Sequence, residues 1–179
     1  MTFSVFENLD LGKLPKVRGS YKSNVEMAPY TWFRVGGAAS VGFRPHDQED
    51  LSKFLMDNSK DVPVTVIGAA SNVLIRDGGI PGVVIKLGKN FSSINFKGDS
   101  VRIGAGLPNN IAARSAAKEG YSGLEFLSGI PGTIGGGLRM NAGAYGKEFK
   151  DILIEAEVID SFGSLKVLSV EELGMSYRK

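Results

Sequence analysis

Read as apolar and polar positions, the chain changes period several times along its length. Residues 1–25, including KLPKVRGSYKSN, hold no steady period and read as a leader placed against the body. From Thr31 the stretch TWFRVGGAASVGFRP reads as a strand broken at Gly36-Gly37. Asp47 then caps a predicted helix over QEDLSKFLMDNS, whose Leu51, Phe54 and Leu55 share one face. The β-branched run VPVTVIG, Val62 to Gly68, predicts a buried strand that leads into the loop AASN, and GVVIKLG predicts a second. SSINFKG and SVRIGAG alternate around a Gly98-Asp99 turn. PNNIAARSAAKEG reads as a helix stopped by Gly120, with Ile111, Ala112, Ser115 and Ala116 forming a stripe rich in small residues. DILIEAEVID sets Ile152, Ile154, Ala156 and Val158 against Leu153, Glu155 and Glu157, and SFGS turns it into LKVLSV as a hairpin. EELGMSYRK reads as lacking a capping glycine or a polar tail, so the sequence is expected to end inside a longer protein.

Two stretches obey neither period. Val66 to Gly79, VIGAASNVLIRDGG, puts a glycine, two alanines, Ser71 and Asn72 directly after a strand. Such a loop can aim several backbone N–H groups, with hydroxyl and amide donors, at one anionic group such as phosphate. A plain strand-to-strand turn uses the same residues, so both readings stand at this point. The second stretch, Ser128 to Gly146, has seven glycines among nineteen residues, SGIPGTIGGGLRMNAGAYG. Glycine permits positive φ and close approach of a ligand to main chain, at about 0.5–1 kcal/mol each in a regular element. A cofactor lying on that main chain is one explanation, and a series of tight turns is the other.

Composition and charge remove most other chemistry. With 179 residues, 42% of them hydrophobic, the chain can bury a core and is expected to form one domain or two closely packed lobes. No run approaches the roughly 18 apolar residues of a membrane span, and MTFSVFENLDLGK lacks the layout of a secretory signal, so a cytoplasmic location and no membrane partner are expected. The absence of cysteine excludes disulfides, thiolate zinc sites and cysteine nucleophiles. A net charge of +2, from 21 basic and 19 acidic residues without clustering, speaks against nucleic acid as a partner. GAGLPN lacks the third glycine of a dinucleotide fingerprint, and Glu148 follows Gly146-Lys147 where a Walker loop needs Ser or Thr. His46, the single histidine, stands beside a helix start and is expected to be structural; no metal site is expected.

Four segments in order, TWFRVGG, GAASNVLIRDGGIPGVVI, GLEFLSGIPGTIGGGLRMNAGAYG and the terminal SYRK, resemble the UDP-N-acetylenolpyruvoylglucosamine reductase family. The resemblance runs from about Met27 to Lys179. It implies an α+β fold, the two-lobed FAD-binding domain of the vanillyl-alcohol-oxidase (PCMH) type, with residues 26–88 as one lobe and 89–179 as the other. It also implies FAD as cofactor, NADPH as co-substrate and a UDP-sugar substrate, UDP-N-acetylglucosamine enolpyruvate, reduced to UDP-N-acetylmuramate for peptidoglycan. The sequence indicates no protein partner.

By the same resemblance Arg34 and Ile67, Gly68, Ala69, Ala70, Ser71, Asn72, Val73 and Leu74 would serve the cofactor, the loop Gly68 to Leu74 holding its pyrophosphate. Ser128, Gly129, Ile130, Pro131, Gly132, Thr133, Gly135 and Gly136, with Asn141, Ala142, Gly143, Ala144 and Tyr145, would line the flavin and its ribityl chain. Arg178 matches the arginine that stabilises charge beside the substrate carboxylate, and Tyr177 would lie near the substrate. The family's hydrides pass from NADPH to flavin and on to the enolpyruvyl carbon, and its proton-donating serine and assisting glutamate lie in segments that this sequence does not include. The chain alone is therefore expected to hold FAD without completing the reduction. Without cysteine, and with His46 outside the glycine loops, FAD is expected to be held noncovalently. Two positions depart from the family pattern. Ala70 stands where a second glycine is common, so it is expected to take negative φ or shift the phosphate contact, and Ala39 replaces a frequent proline. The rival readings are an oxidase of the same superfamily and a non-catalytic nucleotide-binding module.

Overall fold

The computed structural model describes residues 9–176, which divide into two compact units. The first runs to Gly88 and includes Asp160–Ser164; the second runs Lys89–Ile159 and resumes at Leu165.

The first unit is built on a four-stranded sheet in the order β1-β2-β4-β3, with β1 Ser20–Glu26, β2 Ala38–Arg44, β3 Val64–Ile67 and β4 Ile80–Lys86. β1 is antiparallel to β2, whereas β2 and β3 both run parallel to β4. Helix α1, Gln48–Asp57, starts where the sequence predicts, with the Asp47 carboxylate accepting from Asp50 N. Phe54 of α1 lies fully buried against Phe43, their ring centroids 4.6 Å apart, and Leu14, Val41, Val83 and Ile85 complete this cluster. Buried Asp50 accepts from the N–H groups of Arg18, Gly19 and His46, tying the start of β1 to the start of α1.

Two expectations change here. β1 begins inside the segment read as a leader, and its polar sequence SYKSNVE hides the strand. Asn24, at φ 46°, turns it over, so Tyr21 packs into the Phe43–Phe54 cluster while Val25 packs with Ala39 and Val84 in another. β3 was expected to be buried but lies at the sheet edge, leaving Val64 36% and Val66 64% exposed. The fully covered strand is β4, whose Val83, Val84 and Ile85 are all buried.

In the second unit the predicted hairpin pairs β5, Ile94–Lys97, with β6, Ser100–Ile103, around Gly98 at φ 55°. α2, Asn109–Lys118, ends before Gly120 at φ 79°. Its buried stripe is Ala112, Ala113 and Ala116; Ile111 faces outward at 40% exposure, a correction to the predicted face. Leu107, Phe126, Leu127, Ile130 and Phe149 pack on those alanines, because a methyl-sized surface lets the following chain approach closely. α3, Ile134–Arg139, lies within the glycine-rich stretch, followed by a two-residue ladder of β7, Gly143–Ala144, and β8, Lys147–Glu148. β9, Glu155–Ile159, pairs antiparallel with β10, Leu165–Ser169. The strand starts later than expected, since Phe149–Asp151 form a 3-10 turn and Ile154 is exposed. α4, Val170–Leu173, has a Ser169–Glu172 capping box and ends at Gly174, φ 55°: Gly174 is the capping glycine that the sequence reading overlooked.

Candidate functional site

In the first unit, β3 delivers the chain at buried Ile67 into the loop 68–74. Ala70 takes neither course expected of it: it adopts φ 49° while 4% exposed, and its carbonyl accepts from Trp32 N at 3.3 Å. For a residue with a Cβ this left-handed conformation costs about 1–2 kcal/mol. Ala69, Asn72, Val73 and Leu74 are exposed around it, and the stretch from Gly68 to Leu74 contains no carboxylate. The segment bonded to this loop is itself tightly wound. Buried Thr31 accepts from Val35 N through its hydroxyl at 3.2 Å, Arg34 sits at φ 56°, and Trp32 and Phe33 are left 65% and 63% exposed. Gly36 and Gly37 have an internal reason to be glycine. A Cβ on Gly36 would lie 2.7 Å from Ile75 Cβ, and one on Gly37 would strike the carbonyl of Asp77.

The glycine-rich stretch of the second unit separates into positions that serve packing and positions that stay open. Gly135 N donates to Ala105 O at 2.8 Å and Ile134 N to Leu107 O at 2.9 Å, so these amides are committed within the protein. A Cβ on Gly135 would lie 2.9 Å from Ala105 Cβ, one on Gly137 would enter the Phe149 ring, and one on Gly143 would lie 2.7 Å from Lys147 O. Thr133 caps α3, its hydroxyl accepting from Gly136 N at 3.4 Å. Ser128 Oγ donates to Glu125 O at 2.7 Å, and Gly123 N donates to the Glu125 carboxylate at 2.8 Å. Main-chain donors hold that carboxyl below the usual glutamate range.

Gly129 is open in a different way. A Cβ there would lie 2.7 Å from Cε2 of Tyr145, so the absence of a side chain is what lets that ring lie over the backbone. Tyr145 is nonetheless 83% exposed and stands at φ 54°. Ser128, Pro131 and Gly136 are exposed as well, Gly132 sits at φ 125°, and Ile130 is buried. The side chain of Asn141 is committed within the protein. Fully buried at φ 39°, it donates from Nδ2 to Glu148 Oε2 at 2.8 Å and accepts at Oδ1 from Lys150 N at 2.9 Å. Its amide bonds on both ends within the protein, so its side chain shapes the turn that carries Ala142, Gly143, Ala144 and Tyr145. Asn109, missed in the sequence, clamps the same region, its N–H donating to Gly132 O at 3.0 Å and its Nδ2 to Ile130 O at 3.2 Å. Only its place at a helix start hinted at this.

Within the first unit, then, the fold brings the segment carrying Arg34 to the loop 67–74, and within the second it brings 128–136 to 141–145. Tyr177 and Arg178 lie outside the described residues. His46 pairs with Asp47 at 3.1 Å at the start of α1. Among the described residues five non-glycine positions have positive φ, and four of them, Arg34, Ala70, Asn141 and Tyr145, are candidate positions. No helix of the described residues is long and apolar enough to cross a membrane, and no group of three or more metal-ligating side chains that could hold a metal ion occurs among them.

The FAD binding domain family matches residues 39–169. A UDP-N-acetylenolpyruvoylglucosamine reductase from Paramagnetospirillum magneticum is 52% identical over 166 residues, covering 93% of this chain and 54% of that protein. One from Rickettsia massiliae is 50% identical over 165 residues, covering 92% of this chain and 56% of its own. The crystal structure of the Thermus caldophilus reductase superposes with a TM-score of 0.77 at 36% identity, over 92% of this chain and 57% of that one. 6-Hydroxy-D-nicotine oxidase from Arthrobacter nicotinovorans superposes with a TM-score of 0.65 at 19% identity, a likeness of fold alone. The chain thus spans little more than half the length of these reductases. With the matched family, the reductase relatives and the shared fold in agreement, the chain belongs to the FAD-binding domain family, in the form carried by UDP-N-acetylenolpyruvoylglucosamine reductases.

Proposed function

We propose that the chain binds one FAD noncovalently and acts as the flavin-holding part of an NADPH-dependent reductase that converts UDP-N-acetylglucosamine enolpyruvate to UDP-N-acetylmuramate. The observation that carries this reading is left-handed, non-glycine backbone at Arg34 and Ala70 of the first unit and at Tyr145 of the second, all of them candidate cofactor positions. Strain of this kind persists where surrounding structure over-determines it, and it concentrates at ligand clamps.

The residues present suit the group. The carboxylate-free loop from Gly68 to Leu74 offers amide N–H groups and the exposed Asn72 amide to a pyrophosphate without charge repulsion. Ser128 and Gly129 offer exposed main chain, and the Tyr145 ring presents an open face to a planar system. Bound there, FAD would supply the hydride acceptor and donor of the reaction. Arg178, by family position, would grip the substrate carboxylate through its permanently charged guanidinium, with Tyr177 beside it.

The chain itself is assigned flavin binding, not the complete reduction, on the expectation from the family resemblance that its serine proton donor and assisting glutamate lie in segments this sequence does not include. The visible spectrum of the purified chain, before and after denaturation, tests the cofactor. A flavin band released into solution on unfolding is expected, and a folded chain that stays colourless after FAD is added would count against the reading. Turnover of the UDP-sugar by this chain at the rate of a full-length relative would contradict the division of labour.

A further inference from the structure

In the first unit the segment TWFRVGG, Thr31 to Gly37, leads into β2 and shows most of its large apolar side chains to solvent. Trp32 and Phe33 are the most open, and Val35 and the preceding Tyr30 are exposed with them. Loose packing does not account for this, because the segment is pinned along its length. Buried Thr31 donates its hydroxyl to Val35 O at 2.9 Å and accepts from Val35 N at 3.2 Å. Trp32 N donates to Ala70 O at 3.3 Å and Gly37 N to Arg76 O at 3.0 Å, while Gly36 lies so close to Ile75 that it has no room for a Cβ. A fixed segment that holds large apolar side chains in water marks a binding surface.

The surroundings narrow the occupant. Trp32 is bonded to the loop Gly68 to Leu74, which contains no carboxylate and itself exposes Val73 and Leu74. Arg34, two residues further on, takes part in no ion pair among the described residues. Main-chain amides and a guanidinium suit a diphosphate, and an open indole suits a planar base. An apolar peptide would use the rings and leave the charge and the amides without a partner; a nucleoside diphosphate uses all three. In FAD a single ribose separates the pyrophosphate from adenine. A cofactor whose pyrophosphate lies on this loop therefore brings its adenine to the side chains fastened to the loop.

We propose that Trp32 carries the adenine of FAD, its indole stacking on the base while the loop Gly68 to Leu74 takes the pyrophosphate. The assignment rests on the FAD reading above and adds the residue that holds the purine half of the cofactor. Trp32 is the single tryptophan of the sequence, so its emission reports the contact directly. The 179-residue chain is titrated with ADP, which carries the same adenosine and diphosphate and does not absorb where indole emits, and separately with inorganic pyrophosphate. Saturable quenching by ADP and none by pyrophosphate is expected. Calorimetric titration should find FAD and ADP bound about tenfold more weakly by Trp32→Ala, the loss of one base–aromatic stack, with Trp32→Phe keeping most of the affinity. The ADP titration needs no variant, so it decides the matter even if Trp32→Ala unfolds. ADP that binds without changing the emission, or pyrophosphate that quenches as ADP does, overturns the proposal. FAD bound by Trp32→Ala as tightly as by wild type overturns it while leaving the flavin reading intact; a folded chain that binds neither FAD nor ADP overturns both.

Discussion

At the scale of single residues, glycine and its neighbours divide into those that make room for protein and those that make room for something else. The glycine-rich stretch was legible as unusual, but its period could not say which glycine does which. Gly135, Gly137 and Gly143 are explained by Ala105, Phe149 and Lys147, contacts set by tertiary packing that no local pattern records. Gly129 is explained by Tyr145, an exposed side chain. Gly129→Ala should therefore cost little stability, because the Tyr145 ring can swing into solvent, yet weaken FAD binding about tenfold, or ~1.4 kcal/mol, by moving that ring. Fluorescence titration with FAD alongside urea unfolding separates the two effects; unchanged affinity would remove Tyr145 from the site. Ala70→Gly works in the opposite sense. Relief of φ 49° should raise stability by about 1 kcal/mol, visible as a higher urea midpoint. An unchanged or lower midpoint would mean that the loop stores no strain there.

At the scale of elements, the sequence showed most where one face is apolar and a cap is present. α1 was readable from Asp47, Leu51, Phe54 and Leu55, and the β5–β6 hairpin from its Gly98-Asp99 turn. β1 was not, because an edge strand with Asn24 in a left-handed kink sends Tyr21 and Val25 to different clusters and so erases the period of two. The burial of Tyr21 can be tested through pH. Burial, and then the charge of Asp50, raise its hydroxyl far above the ordinary tyrosine range near 10. A raised folded-state pKa contributes stability that is fully present below the unfolded value and is lost as pH rises through the folded value. The stability gap between wild type and Tyr21→Phe, which loses the 2.9 Å bond to Pro15 O, should thus be steady at lower pH and shrink above pH 10. Urea unfolding from pH 8 to pH 11 reads it, and a constant gap would place that hydroxyl in water.

At the scale of the whole molecule, the two-lobed FAD-binding fold expected from the ordered motifs is the one shared with the reductase relatives and the nicotine oxidase. That recognition came from the order of four segments; composition and periodicity alone reached only an anion or cofactor site. What stayed hidden was the site's internal arrangement, such as the inward turn of Asn141 and the clamp formed by Asn109, since both depend on contacts between distant residues. The central claim is that the chain binds one FAD and that Asn72 and Tyr145 each serve that binding. Isothermal titration of the 179-residue chain with FAD, repeated on Asn72→Ala in the first unit and Tyr145→Ala in the second, addresses it most directly. A stoichiometry near one, with affinity falling about tenfold in each variant, is the expected result. Saturable binding that only one of the two substitutions weakens, or no saturable binding by a folded chain, would contradict it.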